Sequence, residues 1–356
     1  MRLILRLFSF FALFASAILA AQQLTPTTAA QAPNADTSYI DAQGTAHVTR
    51  IVPLPATVSL EAQQMLSRSV PDQGPPESLA DRRARTDAAT DAARIAWTKI
   101  CPNQIVEDKI AGVPVRIVTP EAIPPANRDK VFINIHGGGF NSDSGSYAES
   151  IPIAAYAGVK VVSVMYRLAP ENPFPAGIDD VISVYKELLK TYKPEHIVIY
   201  GTSAGAIMTG EVAVKLKQLG APLPAALGIF SGMGDFAHSG DTSSFFSARG
   251  LSGHLDPPSD PHDPYYIGRA NPTDSVLSPM YADLHGLPPT LFVSSTRDML
   301  LSGTAILHRA FLRAGIDAQL VVFEALPHAF WYNASLPESV EVSRIMAAFL
   351  LKHVTG

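Results

Sequence analysis

The chain has 356 residues, of which 47% are hydrophobic, 17% are charged and 8% are aromatic. This apolar content excludes an intrinsically disordered chain, and the length fits two average domains or one large α/β domain with insertions. The formal net charge is −5, and the lysines and arginines form no long basic block, which argues against binding to a nucleic-acid backbone.

The first 21 residues have the three parts of a secretory signal. Met1–Arg6 carries two arginines, Leu7–Ala21 is almost wholly apolar, and small residues end this stretch before Gln22. Because the stretch is too short for a comfortable membrane span, we expect it to be cleaved. The protein is then exported, to a periplasm or to the medium, without stable membrane insertion. An anchor formed by an uncleaved amino terminus is the alternative.

Residues 22–80 are rich in Ala, Gln, Thr and Pro, and they predict a flexible leader followed by the start of a cap. The pattern becomes helical over Asp81–Ile100. Ile105–Ile110 and Val113–Val118 then alternate on either side of Ala111-Gly112, which predicts a β-hairpin. Residues 81–356 are interpreted as one large α/β domain that includes the cap helix.

After the hairpin, short β-rich runs alternate with helical stretches. The predicted strands are Val131–Ile135, Lys160–Met165, His196–Tyr200, Ala226–Phe230, Thr290–Ser295 and Gln319–Phe323. The predicted helices are Ala176–Lys190, Ala204–Leu219, Leu301–Ala314 and Pro337–Lys352. This alternation predicts a mostly parallel sheet with helices on both faces. The exception is Gly232–Ser278, which lacks a core pattern and is interpreted as an insertion over the carboxyl edge of the sheet, where open α/β sheets bind ligands.

Ser203 lies at a predicted junction between a strand and a helix. The surrounding sequence Gly201-Thr202-Ser203-Ala204-Gly205 has small residues on both sides of the serine, which permits a strained turn that exposes the hydroxyl. The helix that starts behind the serine directs its backbone N–H groups and its positive dipole end at any oxyanion formed there. Taken alone, this five-residue pattern also fits an ordinary tight turn.

A glycine-rich loop directly after the strand Val131–Ile135 supports a catalytic interpretation. His136-Gly137-Gly138-Gly139-Phe140 allows the backbone to approach a substrate and to turn successive N–H groups inward, as an oxyanion hole requires. A phosphate-binding turn is disfavoured, because the loop contains no Lys or Arg and lacks the known phosphate-loop and dinucleotide spacings.

A serine nucleophile needs a base that is held in place by an acid. His328 follows the strand Gln319–Phe323, and Asp298 follows the strand Thr290–Ser295 at the same edge of the sheet as Ser203. Asp283 and Glu324 also precede His328. We prefer Asp298, because Asp283 should lie at the opposite edge and Glu324 would have to fold back toward the imidazole.

These motifs resemble the hormone-sensitive-lipase-like branch of the α/β-hydrolases, the bacterial family IV esterases. The resemblance covers roughly residues 105–352 and rests on four segments: His136–Phe140, Tyr166–Ala176, Gly201–Gly205 and Pro327–Phe330. It implies an α/β-hydrolase fold, with a cap formed by the N-terminal segment and an insertion. It also implies the catalytic roles of Ser203, Asp298 and His328, and oxyanion donors at the N–H groups of Gly138, Gly139 and Ala204.

Two positions depart from the family pattern. Thr202 stands where many members have Asp, although a branch with Thr exists, and Ala206 stands where Gly is usual. Neither change removes a catalytic group, but both bear on how the loop behind the serine is braced. In the Tyr166–Ala176 segment, Arg167 and Glu171 are expected to form a structural ion pair or loop brace without a catalytic role.

No metal or cofactor is predicted. The one cysteine, Cys101, rules out a cysteine-based zinc cluster and is expected to be buried. A loose group of histidines and aspartates in the insertion matches no ligand spacing and is interpreted as a polar surface loop: His238, His254, Asp256, His262 and Asp263.

The sequence therefore predicts a cofactor-free serine hydrolase that acts on small carboxylic esters. Amide or formamide hydrolysis is the alternative within enzymes, because the same apparatus serves both reactions. A catalytically silent ligand-binding protein is the alternative from another class. The predicted partner is a small-molecule ester, with no nucleic acid, and a homodimer is left open.

Overall fold

The computed structural model describes residues 38–68, 78–246 and 265–354. The chain divides into two units, Met1–Pro53 and Leu54–Gly356. In the first unit, strands β1 (Tyr39–Ile40) and β2 (Ala46–His47) form an antiparallel pair. The predicted export signal, residues 1–21, lies outside the described residues.

The second unit is built around an eight-stranded sheet with the order β10-β9-β8-β7-β5-β6-β4-β3. Its strands are β3 (Asn103–Ile110), β4 (Val113–Pro120), β5 (Val131–Ile135), β6 (Lys160–Val164), β7 (Ile197–Thr202), β8 (Ala226–Phe230), β9 (Thr290–Arg297) and β10 (Ala318–Pro327). The β3–β4 hairpin and the β4–β6 pair are antiparallel, and the other neighbours are parallel. The predicted mostly parallel sheet is confirmed.

Eight α-helices lie in the described part of the second unit. They are α1 (Leu60–Leu66), α2 (Leu79–Ile100), α3 (Ser146–Ala157), α4 (Ala176–Leu188), α5 (Ala204–Gln218), α6 (Asp241–Phe246), α7 (Leu301–Arg313) and α8 (Pro337–His353). Ser59 and Ser78 cap α1 and α2 by accepting a backbone N–H bond at the first turn. Helix α1 falls within residues 22–80, the predicted leader and start of the cap.

The core lies on both faces of the sheet, because successive side chains of a strand point to opposite sides. Ile133 of β5 packs in the cluster that includes residues of α4, α5 and α7, whereas its neighbour Phe132 packs in the cluster that includes residues of α2, α3 and α8. Both side chains are fully buried. The strands whose carboxyl ends carry the predicted site are therefore packed against helices on both faces of the sheet.

The insertion Gly232–Ser278 carries more core than its composition predicts. Tyr266, Val276 and Leu277 are buried and belong to the cluster on the α5 side of the sheet. Four of the five histidines and aspartates interpreted as a polar surface loop fall in residues 247–264, outside the described residues. Among the residues that the structure describes, no group of three acidic, histidine or cysteine side chains could hold a metal ion. None of the helices described is long and apolar enough to cross a membrane.

Candidate active site

Ser203 occupies a sharp turn between β7 and α5. Its backbone has a positive φ of 57° with a ψ of −122°, a conformation that L-residues rarely adopt, and its N–H donates to the carbonyl of Phe230 at 2.9 Å. A Cβ atom at Gly201 or Gly205 would lie 2.3 Å or 1.7 Å from the carbonyl oxygen of Ile135. The glycines are therefore required because the backbone of β5 passes directly against the turn.

Asp298 lies in the loop after β9 and is completely buried. Its Oδ1 atom is 2.8 Å from His328 Nδ1 and accepts the Leu300 N–H at 2.9 Å, while Oδ2 accepts the hydroxyl of Ser294 at 2.9 Å and that of Ser231. Burial by itself raises the pKa of Asp298, but the charge of His328 and these hydrogen bonds outweigh burial and lower it. The carboxylate is therefore held in its ionised form.

His328 follows β10 and has a side chain that is 4% exposed. Its Nδ1 is bound to Asp298, and its Nε2 is buried with no hydrogen-bond partner among the described residues. The structure thus joins Asp298 to His328, whereas no hydrogen bond joins Ser203 to His328 in the described part of the chain. Nε2 is the nitrogen left to receive a proton.

A second contact holds the histidine segment against the serine turn. The indole N–H of Trp331 donates to Thr202 Oγ1 at 3.1 Å, and both residues are buried. Thr202 precedes the nucleophile candidate, and Trp331 lies three residues after His328. The threonine that departs from the common family pattern thus braces the loop through a neutral hydrogen bond.

The other two candidate carboxylates lie elsewhere. Asp283 pairs with Lys217 at 2.8 Å and contacts His285 Nδ1 at 2.6 Å on the surface. Glu324 is exposed and accepts the hydroxyl of Thr296 at 3.1 Å.

Two carbonyl groups of the glycine loop are held by hydrogen bonds to the turn that follows it. The carbonyl of Gly137 accepts the Ser144 N–H at 3.1 Å, and that of Gly138 accepts the Ser142 N–H at 3.2 Å. In a trans peptide the C=O and the following N–H point in opposite directions, so the N–H groups of Gly138 and Gly139 face away from this turn. A Cβ at Gly138 would lie 1.9 Å from the Ser142 carbonyl oxygen, which explains the glycine.

No hydrogen bond from the N–H of Gly138, Gly139 or Ala204 to another described residue is found. Ala204 is the first residue of α5, where backbone N–H groups have no partner within the helix. These three groups therefore have the capacity to bind a developing oxyanion.

One functional candidate that the sequence analysis misses is Glu149 of α3, beneath the glycine loop. Its Oε1 atom accepts the Gly137 N–H at 3.0 Å and the Tyr332 hydroxyl at 2.5 Å. Burial raises the pKa of Glu149 to about 7, against the lowering effect of these hydrogen bonds. The sequence signal that could have identified Glu149 is a single acidic residue in a helix otherwise made of small and apolar residues.

Arg167 and Glu171 do not pair with each other, and each instead braces the loop through an ion pair with another residue. Arg167 pairs with Asp180 of α4 at 2.9 Å, and Glu171 pairs with Arg83 of α2 at 2.7 Å. Arg83 Nε also donates to the carbonyl of Asn141 at 2.7 Å. Sequence proximity suggested a local pair, but α2 packs over this loop and supplies the cation.

Comparison with known proteins identifies the fold and the family of this chain. A family described as having the alpha/beta hydrolase fold matches residues 132–332. The acetyl-hydrolase of Streptomyces hygroscopicus is 31% identical over 243 residues, which cover 65% of this chain and 79% of that protein. The structure of esterase E25 matches with a TM-score of 0.76 and 32% identity, over 86% of this chain and 97% of its own. An esterase of the bacterial hormone-sensitive lipase family matches with a TM-score of 0.72 and 29% identity, over 83% of this chain and 99% of its own.

The family match spans the serine turn, the glycine loop and the segments that carry Asp298 and His328. The resemblance and the fold class predicted from the sequence are confirmed. This chain belongs to the hormone-sensitive-lipase-like, family IV branch of the α/β-hydrolases, and it is a serine hydrolase of the carboxylesterase type.

Proposed function

We propose that this protein hydrolyses carboxylic esters with small acyl groups, with Ser203 as nucleophile, His328 as general base and Asp298 as the orienting acid. The observation that carries the proposal is the imidazole of His328. One ring nitrogen is bound to a buried carboxylate at 2.8 Å, and the other is buried without a partner among the described residues. A histidine held in this way is arranged to take a proton from a serine hydroxyl.

In the first half-reaction, Ser203 Oγ attacks the acyl carbon and its proton passes to His328 Nε2. The oxyanion accepts hydrogen bonds from the N–H groups of Gly138, Gly139 and Ala204. Asp298 stays ionised and stabilises the imidazolium, in agreement with its lowered pKa. Collapse of the intermediate breaks the bond to the alcohol oxygen, which takes the proton from His328.

In the second half-reaction, His328 removes a proton from water, and the resulting hydroxide attacks the acyl-serine. The acid leaves, and Ser203 recovers its proton. In this cycle the nucleophile, the proton carrier and the oxyanion donors are all groups of the protein, and water is the second substrate. The name of the acetyl-hydrolase relative supports a small acyl group.

The proposal is tested with p-nitrophenyl esters of increasing acyl length and with the matching anilides. We expect the highest kcat/KM for the shortest esters and much slower cleavage of the anilides. Ser203→Ala should lower kcat by up to about 10⁶-fold, the loss seen when the nucleophile of a comparable triad is removed. Ser183→Ala, on the exposed side of α4, is the matched control and should leave kcat unchanged.

Normal turnover by Ser203→Ala would contradict the nucleophile assignment. Faster cleavage of the anilides than of the esters would instead identify an amide hydrolase. A protein that neither hydrolyses these substrates nor reacts with a fluorophosphonate probe would be a silent binder, contrary to the proposal.

A further inference from the structure

The carboxylate of Glu149 is surrounded by donors. Oε1 accepts the Gly137 N–H at 3.0 Å and the Tyr332 hydroxyl at 2.5 Å, and Oε2 accepts the amide of Asn134 at 2.6 Å. The residue is 4% exposed. All three neighbours donate and none accepts, so the site is complementary to a carboxylate that acts only as an acceptor.

These donors belong to two parts of the proposed catalytic apparatus. Gly137 is followed by Gly138, the first proposed oxyanion donor. Tyr332 lies four residues after His328, in the short helical turn Phe330–Tyr332. One oxygen of Glu149 therefore bridges the glycine loop and the segment that carries the proposed base.

We infer that Glu149 is a positioning residue that sets the direction of the Gly138 N–H and joins the glycine loop to the segment that carries His328. The inference rests on the proposed function, because it assigns a task to the loop in that reaction. With the Gly137 N–H fixed by Glu149 and the Gly137 carbonyl fixed by Ser144, both sides of this residue are held. The peptide that presents the Gly138 N–H then has one orientation.

Two glycines pack directly against this carboxylate and the Tyr332 hydroxyl. A Cβ at Gly145 would lie 2.0 Å from Glu149 Oε1 and 2.3 Å from the Tyr332 hydroxyl, and a Cβ at Gly137 would lie 2.6 Å from the same hydroxyl. Loss of the acceptor would leave a buried N–H and a buried O–H unsatisfied, which proteins avoid by shifting the backbone. A shift here displaces the oxyanion donors directly.

The test compares Glu149→Met, which keeps the length and removes both acceptors, with Glu149→Gln, which keeps an oxygen toward Gly137 and Tyr332. Glu149→Met should lower kcat for p-nitrophenyl acetate by roughly 10- to 100-fold, less than the loss of an entire oxyanion donor, with KM within about twofold. Glu149→Gln should restore most of kcat. Inhibition by a trifluoromethyl ketone, whose adduct carries the oxyanion, should weaken in proportion to the fall in kcat.

Tyr332→Phe is the second variant, which serves if Glu149→Met does not fold, and it should lower kcat about 3- to 10-fold. Its matched control is Tyr200→Phe, because the Tyr200 hydroxyl donates to the backbone carbonyl of Glu149 at 3.2 Å and not to the carboxylate. Equal effects of the two tyrosine changes, or unchanged kcat in the folded Glu149→Met and Tyr332→Phe proteins, would overturn the inference. An inactive wild-type protein would instead refute the proposed function.

Discussion

Replacing Glu149 by glutamine should change how the stability of this protein depends on pH. In the unfolded chain a glutamate has its ordinary pKa of 4.5, whereas burial raises the pKa of Glu149 in the folded protein to about 7. Below pH 4.5 both states hold the proton. Between these values the folded state keeps a proton that the unfolded state has lost, so the free energy of unfolding falls as pH rises. Above about pH 7 Glu149 is ionised in both states, and the folded protein bears the full free-energy cost of the buried charge.

The magnitude follows from the shift, because one pKa unit corresponds to about 1.4 kcal/mol. The free energy of unfolding of the wild type, relative to Glu149→Gln, should therefore fall by about 3 kcal/mol between pH 4.5 and pH 7.5. Taking this difference removes the contributions of groups common to both proteins.

Urea unfolding at half-unit pH intervals measures the two free energies. Glu187→Gln, at a half-exposed position on α4, controls for the removal of one carboxylate from the chain. A difference between wild type and Glu149→Gln that stays constant from pH 4.5 to pH 7.5 would refute the reasoning. So would a difference that grows in favour of the wild type as pH rises, since that requires a lowered pKa.

Three further outcomes are expected. Asp298→Asn should lower kcat by about 10⁴-fold, as in a comparable triad, because an amide cannot stabilise the imidazolium; Asp283→Asn is the control, and equal kcat values in steady-state assays would disprove the role of Asp298. Gly205→Ala should destabilise the protein by about 3 kcal/mol or more in urea unfolding, because its Cβ would lie 1.7 Å from a backbone oxygen; Gly210→Ala, whose Cβ would lie 3.4 Å from Pro279 Cγ, should be neutral or stabilising. Amino-terminal sequencing of protein from its native host should begin near residue 21 or 22, and an intact Met1 on cytoplasmic protein would contradict export.

The parallel strands can be predicted from the sequence because strands buried on both faces give short continuous apolar runs. Strands β5 and β8 have the predicted bounds, Val131–Ile135 and Ala226–Phe230. Helix α3 cannot be predicted in this way, because most of its residues are buried and it has no polar face. Tyr266 shows the same limit in the insertion, where a single buried aromatic residue carries no periodic signal.

The sequence predicts the candidate site residues and their order along the chain. It does not predict the side chains that hold them in place. Ser203, Asp298 and His328 follow strands, so their approach to one sheet edge follows from topology. Ser231 and Ser294, which donate to Asp298, look like any other serines in the sequence. Long-range contacts of this kind depend on the order of the strands in the sheet. That order cannot be inferred from the residue pattern of a single sequence.

The contact between β5 and the serine turn has a consequence for how this protein can be altered. Ile135, whose carbonyl meets Gly201 and Gly205, is the residue directly before His136 and the glycine loop. The separation of the proposed nucleophile from the proposed oxyanion donors is therefore set by two backbones in contact and not by a choice of side chains. We therefore expect substitutions in the predicted cap and insertion to leave this spacing unchanged, whereas an added methyl group at either glycine changes it for every substrate at once.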